Sequence, residues 1–96
     1  MDEQVHAITI ATSKHLQVPI DVLCNTKNKT QSVAYARRLA MYVARKMTLR
    51  PYYQIAKNFG SSHQCVAIAY HRVTLELDVK LEKTEQDVAV IINALE

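Results

Sequence analysis

The chain is 96 residues long and 49% hydrophobic, with 12 Lys and Arg against 9 Asp and Glu and a formal net charge of +3. That length bounds it to one domain with a single modest core, residues 1–96, and the apolar content excludes intrinsic disorder. One glycine and two prolines leave little turn chemistry, which argues against sandwiches and barrels and for an all-α domain.

No apolar run approaches a membrane span, and the start Met1-Asp2-Glu3 lacks the cationic and apolar parts of a signal peptide. Cys24 and Cys65 are too few for a disulfide framework and read as reduced thiols, so the expected location is cytoplasmic.

In chain order, Val5, Ile8, Thr12 and Leu16 share one face of a helix from about Asp2 to Leu16. Pro19 suits the first turn of a short second helix that buries Ile20, Val22 and Leu23. Residues 25–30 form a polar, basic loop. The long third helix, opened by Gln31 or Ser32, carries an apolar stripe of Val33, Ala36, Ala40, Val43, Ala44 and Met47, with Arg37, Arg38, Arg45 and Lys46 lying away from it. Pro51 begins a short helix carrying Ile55, Ala56 and Phe59, and Gly60 stops it where a left-handed residue is wanted. Ser61 or Ser62 can cap the next helix, from about His63 to Leu75 or beyond, with Val66, Ala69, Tyr70 and Val73 inward. Thr84 with Asp87 resembles a capping box that opens a last helix burying Val88, Ile91, Ile92 and Leu95. Six helices result, two of them short.

The charges are unevenly spread. From Val22 to Leu75 there is no Asp or Glu, while Lys27, Lys29, Arg37, Arg38, Arg45, Lys46, Arg50, Lys57 and Arg72 all fall there. Such a window cannot pair its cations internally, so they are expected to face water or an external polyanion. Nucleic acid is the favoured partner over a randomly basic surface.

Residues 52–75 read as a helix-turn-helix. Ala56 is the small residue where two helices cross, Gly60 four positions later makes the tight turn, and Val66 and Ala69 lock the second helix on the first. The N-terminal end of such a second helix enters the major groove. Here it reads Ser61-Ser62-His63-Gln64-Cys65, where His and Gln can bond to base edges and Ser and free amides favour phosphates.

The stretch from Lys27 to Tyr42, continued by Arg45-Lys46-Met47-Thr48, Ile55, Phe59-Gly60, His63 and Val66, resembles the C-terminal DNA-binding domain of the bacterial replication initiator DnaA, a fold related to the Trp repressor. The likeness runs from about Val5 to Leu95. It implies double-stranded DNA as partner. It also implies that Lys27 and Lys29 are loop contacts, with Lys29 at a minor-groove arginine. Arg37 and Arg45 match backbone-contacting cations, Arg38 stands where the family has Gln, and His63 matches a signature His. Gln31 and Ser32, where the long helix opens, complete the expected DNA-contacting set.

Several residues depart from the family. Ser61-Ser62 makes a turn one residue shorter and lacks the family's acid. Gln64 and Cys65 replace two threonines, Gln31 replaces a basic residue, and Lys29 gives up the planar fork that suits a narrow minor groove. DnaA proteins also carry an ATPase domain with a Gly-rich phosphate loop, which a chain with one glycine does not have. The chain therefore reads as an excised domain or a free-standing relative, and Met1 with its acidic start favours the latter.

No cofactor, nucleotide or metal is expected. Residues 63 and 65 point to different sides of a helix, and no Cys-x-x-Cys pair exists. Nor is an enzyme, since the acid-free middle removes most general bases. The five tyrosines read mainly as packing, with Tyr52 or Tyr53 flanking a phosphate backbone. The expected activity is sequence-selective duplex DNA binding by a regulator of transcription or replication. The competing reading is a helical adaptor for other replication or transcription proteins that kept the fold and lost base readout.

Overall fold

A computed structural model describes residues 2–25, 27 and 30–95. It has six helices: α1 (Glu3–Leu16), α2 (Ile20–Leu23), α3 (Gln31–Thr48), α4 (Tyr52–Phe59), α5 (His63–Asp78) and α6 (Glu82–Ala94). Among the described residues there is no strand. The all-α expectation holds, and the helix-turn-helix occupies α4 and α5.

Asp2 opens α1, its Oδ1 accepting from the backbone N–H of Gln4 at 3.0 Å and Val5 at 3.3 Å, two of the donors a helix start leaves orphaned. Thr12, placed on the inward face by the sequence, is fully buried, as is Thr9. Their hydroxyls donate to the carbonyls of Ile8 and Val5, so neither polar atom is stranded in the core.

The organising element is α3. Its apolar spacing gives it one buried face, yet every residue from Leu39 to Ala44 is buried, because α1, α2, α4, α5 and α6 all pack against it. Met47, expected at the end of the stripe, is instead 45% exposed, beyond the reach of the surrounding helices. The tyrosines largely pack: Tyr42 stacks on Tyr70 with centroids 5.2 Å apart, and Tyr52 is tilted against Tyr70 at 6.4 Å.

The expected capping box at Thr84 is corrected. The last helix begins at Glu82, with Leu81 as its N-cap, so Thr84 lies inside the first turn and is buried. Its hydroxyl donates to Oε1 of Glu76 on α5 at 3.2 Å. Asp87 also faces inward. It accepts from the Tyr35 hydroxyl at 2.6 Å, lies 2.8 Å from Nε2 of His15, and is 3.5 Å from the Lys83 ammonium. Thr84 ties α6 to α5, and Asp87 ties it to α1 and α3 while also pairing with Lys83 in its own first turn.

Candidate nucleic-acid interface

α4 ends at Gly60, whose φ of 61° and ψ of 35° are left-handed. A Cβ there would meet only the Cys24 carbonyl oxygen, at an ordinary 3.7 Å, so it is the backbone conformation and not space that calls for glycine. Ala56 is 2% exposed where α4 packs on α5, and Val66 and Ala69 are buried on the facing side. These contacts fix the angle at which α5 leaves the turn.

Of the two candidate caps, Ser62 is the one used. Its hydroxyl oxygen accepts from the Cys65 backbone N–H at 3.3 Å and lies 3.3 Å from the Cys65 sulfur. Hydrogen bonds from Ser61 and Ser62 draw the Cys65 thiol below its usual range. Ser62, His63, Gln64 and Cys65 are all exposed, and Ser61 is half-buried beside them. Neither His63 nor Gln64 has a side-chain hydrogen bond among the described residues. The helix start thus presents adjacent polar side chains, with the Cys65 amide capped by Ser62 and the His63 and Gln64 amides without a partner among the described residues.

The cations behave differently from the expectation that they must face water or a polyanion. Carboxylates of the flanks fold back onto them: Arg50 Nε meets Asp2 at 2.7 Å, and Arg38 and Arg72 each lie 3.8 Å from Glu76. Sequence distance concealed the Asp2–Arg50 pair, 48 residues apart, whereas Arg72 and Glu76 are neighbours at i,i+4 across the edge of the acid-free window.

Arg37 donates from Nε to the Leu23 carbonyl at 2.8 Å and from Nη2 to the Asn25 carbonyl at 2.6 Å, gathering the end of α2 and the start of the basic loop. Arg45 donates to the Arg50 carbonyl at 2.7 Å and sits 4.9 Å over the Tyr52 ring, closing the α3–α4 turn. Arg38 is half-buried against Tyr35, its Nε buried with no hydrogen-bond partner among the described residues, and burial draws its pKa down, helped by neighbouring Arg72. These three arginines brace the fold as well as carrying charge.

In the loop, Lys27 is exposed, its backbone N–H held by the Asn25 side chain at 3.0 Å. Lys29 lies outside the described residues. Gln31 and Ser32 are exposed on the first turn of α3, and Tyr53 is 60% exposed with the Lys57 ammonium 6.0 Å over its ring. A shallow groove between α3 and α5 collects Arg37, Arg38, Met41, Cys65, Ile68 and Arg72. Arg72 is among the nine cations of the acid-free window, but Ile68 is not singled out in the sequence, where the inward stripe of this helix stands out. Counting one turn on from Gln64 finds Ile68. Among the described residues no three His, Cys, Asp or Glu side chains gather as metal ligands, and no helix is long and apolar enough to cross a membrane.

A family model described as the bacterial DnaA protein helix-turn-helix matches residues 5–73, which span α1 to most of α5. The chain belongs to this DnaA helix-turn-helix family. It is therefore a DNA-binding domain of the DnaA type. Similar proteins include those named chromosomal replication initiator protein DnaA from Thermoanaerobacter sp. (strain X514), Thermoanaerobacter pseudethanolicus and Caldanaerobacter subterraneus, each 35% identical over 52 residues. That stretch is 54% of this chain but 12% of each relative, so the likeness is to one part of a DnaA protein.

Proposed function

We propose that this chain binds double-stranded DNA sequence-selectively, with the start of α5 in the major groove and the loop of residues 25–30 in the adjacent minor groove. The observation that carries the reading is the exposed run Ser62-His63-Gln64-Cys65 at the head of the second helix of a helix-turn-helix. Gln64 can bond bidentately to adenine, and His63 can reach a base edge or a phosphate. Lys27, Lys29, Gln31, Ser32, Arg37, Arg38 and Arg45 supply loop and backbone contacts that set the register without reading sequence. The resemblance to DnaA supports the minor-groove part. A regulator of transcription or of replication origins, working at the bacterial nucleoid, is the biological role that fits.

The experiment is a selection from random duplexes, followed by affinity measurements on the winning site across a salt series. An enriched consensus is expected, with affinity falling by roughly one log unit per phosphate neutralised for each tenfold rise in salt. An adaptor role is favoured by the exposed Leu75 (58%), Val79 (75%) and Leu81 (47%) around the end of α5. Duplex binding that is absent, or indifferent to salt, would select that second reading.

A further inference from the structure

The major groove offers hydrogen-bonding edges and one apolar group, the C5-methyl of thymine. On α5 the first exposed residue whose side chain cannot hydrogen-bond at all is Ile68, at 67% exposure. It follows Gln64 by four residues, so the two share a face about 6 Å apart along the axis.

A lone exposed isoleucine would ask for no explanation. Ile68 is not alone, however. It lines the α3–α5 groove with Ala34, Met41 and Ala69 as apolar neighbours and with Arg37, Arg38 and Arg72 around them. Met41 and Ala69 are buried and contribute only their edges. Arg38 and Arg72 share Glu76, each 3.8 Å from it, so an occupant of such a groove is apolar where it meets the isoleucine and anionic chiefly on the Arg37 side. A thymine methyl with a flanking phosphate has that profile.

We infer that Ile68 is a specificity-determining residue that reads a thymine methyl, one helical turn beyond the base contacted by Gln64. The inference rests on the major-groove reading above and adds a position of the target site that hydrogen bonding alone would leave undetermined.

The test replaces each thymine of the selected duplex in turn by deoxyuridine, which removes the methyl and leaves base pairing intact. With the whole chain, one such replacement is expected to weaken binding about fourfold, the effect of exposing one buried methyl-sized group. Ile68→Ala should bind the dT and dU duplexes alike, while Ile68→Leu keeps the preference. Ala on an exposed helical face preserves the helix, and an unchanged circular dichroism melt verifies this. The inference is overturned if no single dT to dU change matters, or if the penalty persists undiminished in Ile68→Ala. A consensus that disappears in Gln64→Ala yet ignores the methyl sinks only this inference. A protein that enriches no consensus at all sinks the major-groove reading and this one with it.

Discussion

Arg37 and Gln64 are both candidate DNA contacts, yet they stand in opposite relations to the fold. Gln64 is exposed with no side-chain hydrogen bond among the described residues, so Gln64→Ala should leave stability within about 0.5 kcal/mol of the parent. It should cost roughly 1–3 kcal/mol of discrimination against the wrong base, read as a flattened selected-site profile with random-duplex affinity unchanged. Arg37 is bound to the carbonyls of Leu23 and Asn25 through two separate guanidinium nitrogens. A lysine keeps the charge but cannot span both carbonyls. Arg37→Lys is therefore expected to lower stability by about 1–3 kcal/mol, since charge-assisted bonds to half-buried carbonyls are lost. Urea titration measures it, and an unchanged midpoint would mean that the arginine acts on DNA alone. Nothing in the sequence separates these two residues. Both are candidate contacts by their place against the family, and only the fold shows that Arg37 also binds the carbonyls of Leu23 and Asn25.

Helices as units were legible because each announces itself by apolar spacing, a proline near its start or the glycine at its end. Gly60, with its left-handed φ, and the row of Val66, Ala69 and Val73 lie where the spacing puts them. What the spacing conceals is how many neighbours a helix has, as with α3, and what a polar residue does inside one. Thr84 and Asp87 have the sequence of a cap, but Leu81 fills that place and the two turn inward. Burial works to raise the Asp87 carboxyl, yet hydrogen bonds from Tyr35 and His15 and the nearby Lys83 outweigh it and hold the group below its ordinary value. A lowered folded-state pKa contributes stability that is fully present above the unfolded value of about 3.9 and is lost as pH falls through the folded one. Thermal unfolding followed from pH 7 down to pH 2 should therefore show this contribution disappearing below about pH 4. Asp87→Asn should melt lower at neutral pH, by about 1–3 kcal/mol of stability, and lose less on acidification than the parent. An identical acid profile for the two proteins would show that this carboxylate does not anchor α6.

At the scale of the whole molecule, the acid-free window translates into less free charge than its nine cations suggest. Arg50 is spoken for by Asp2, Arg38 and Arg72 share Glu76, and Arg37 and Arg45 donate to carbonyls. Carbonyls leave the positive charge in place, whereas carboxylates cancel it, so the field of the domain is set chiefly by the loop, by Lys46 and Lys57, and by the carbonyl-bound arginines. A cation already matched by a carboxylate releases little from the phosphate atmosphere when it docks, because neutralising a phosphate exposes its former partner. Lys27→Ala combined with Lys29→Ala is accordingly expected to weaken specific and random duplexes alike, and to flatten the slope of log affinity against log salt by close to two units, at about 0.9 per phosphate contact. Arg50→Ala should leave that slope unchanged within half a unit while lowering stability through the uncovered Asp2. Anisotropy titrations at four or five salt concentrations resolve the difference. A slope that falls equally in both variants would mean that the domain meets DNA as a diffuse positive surface, with its internal ion pairs opening on contact. A slope that falls only in the loop variant would assign the electrostatic contact to residues 25–30.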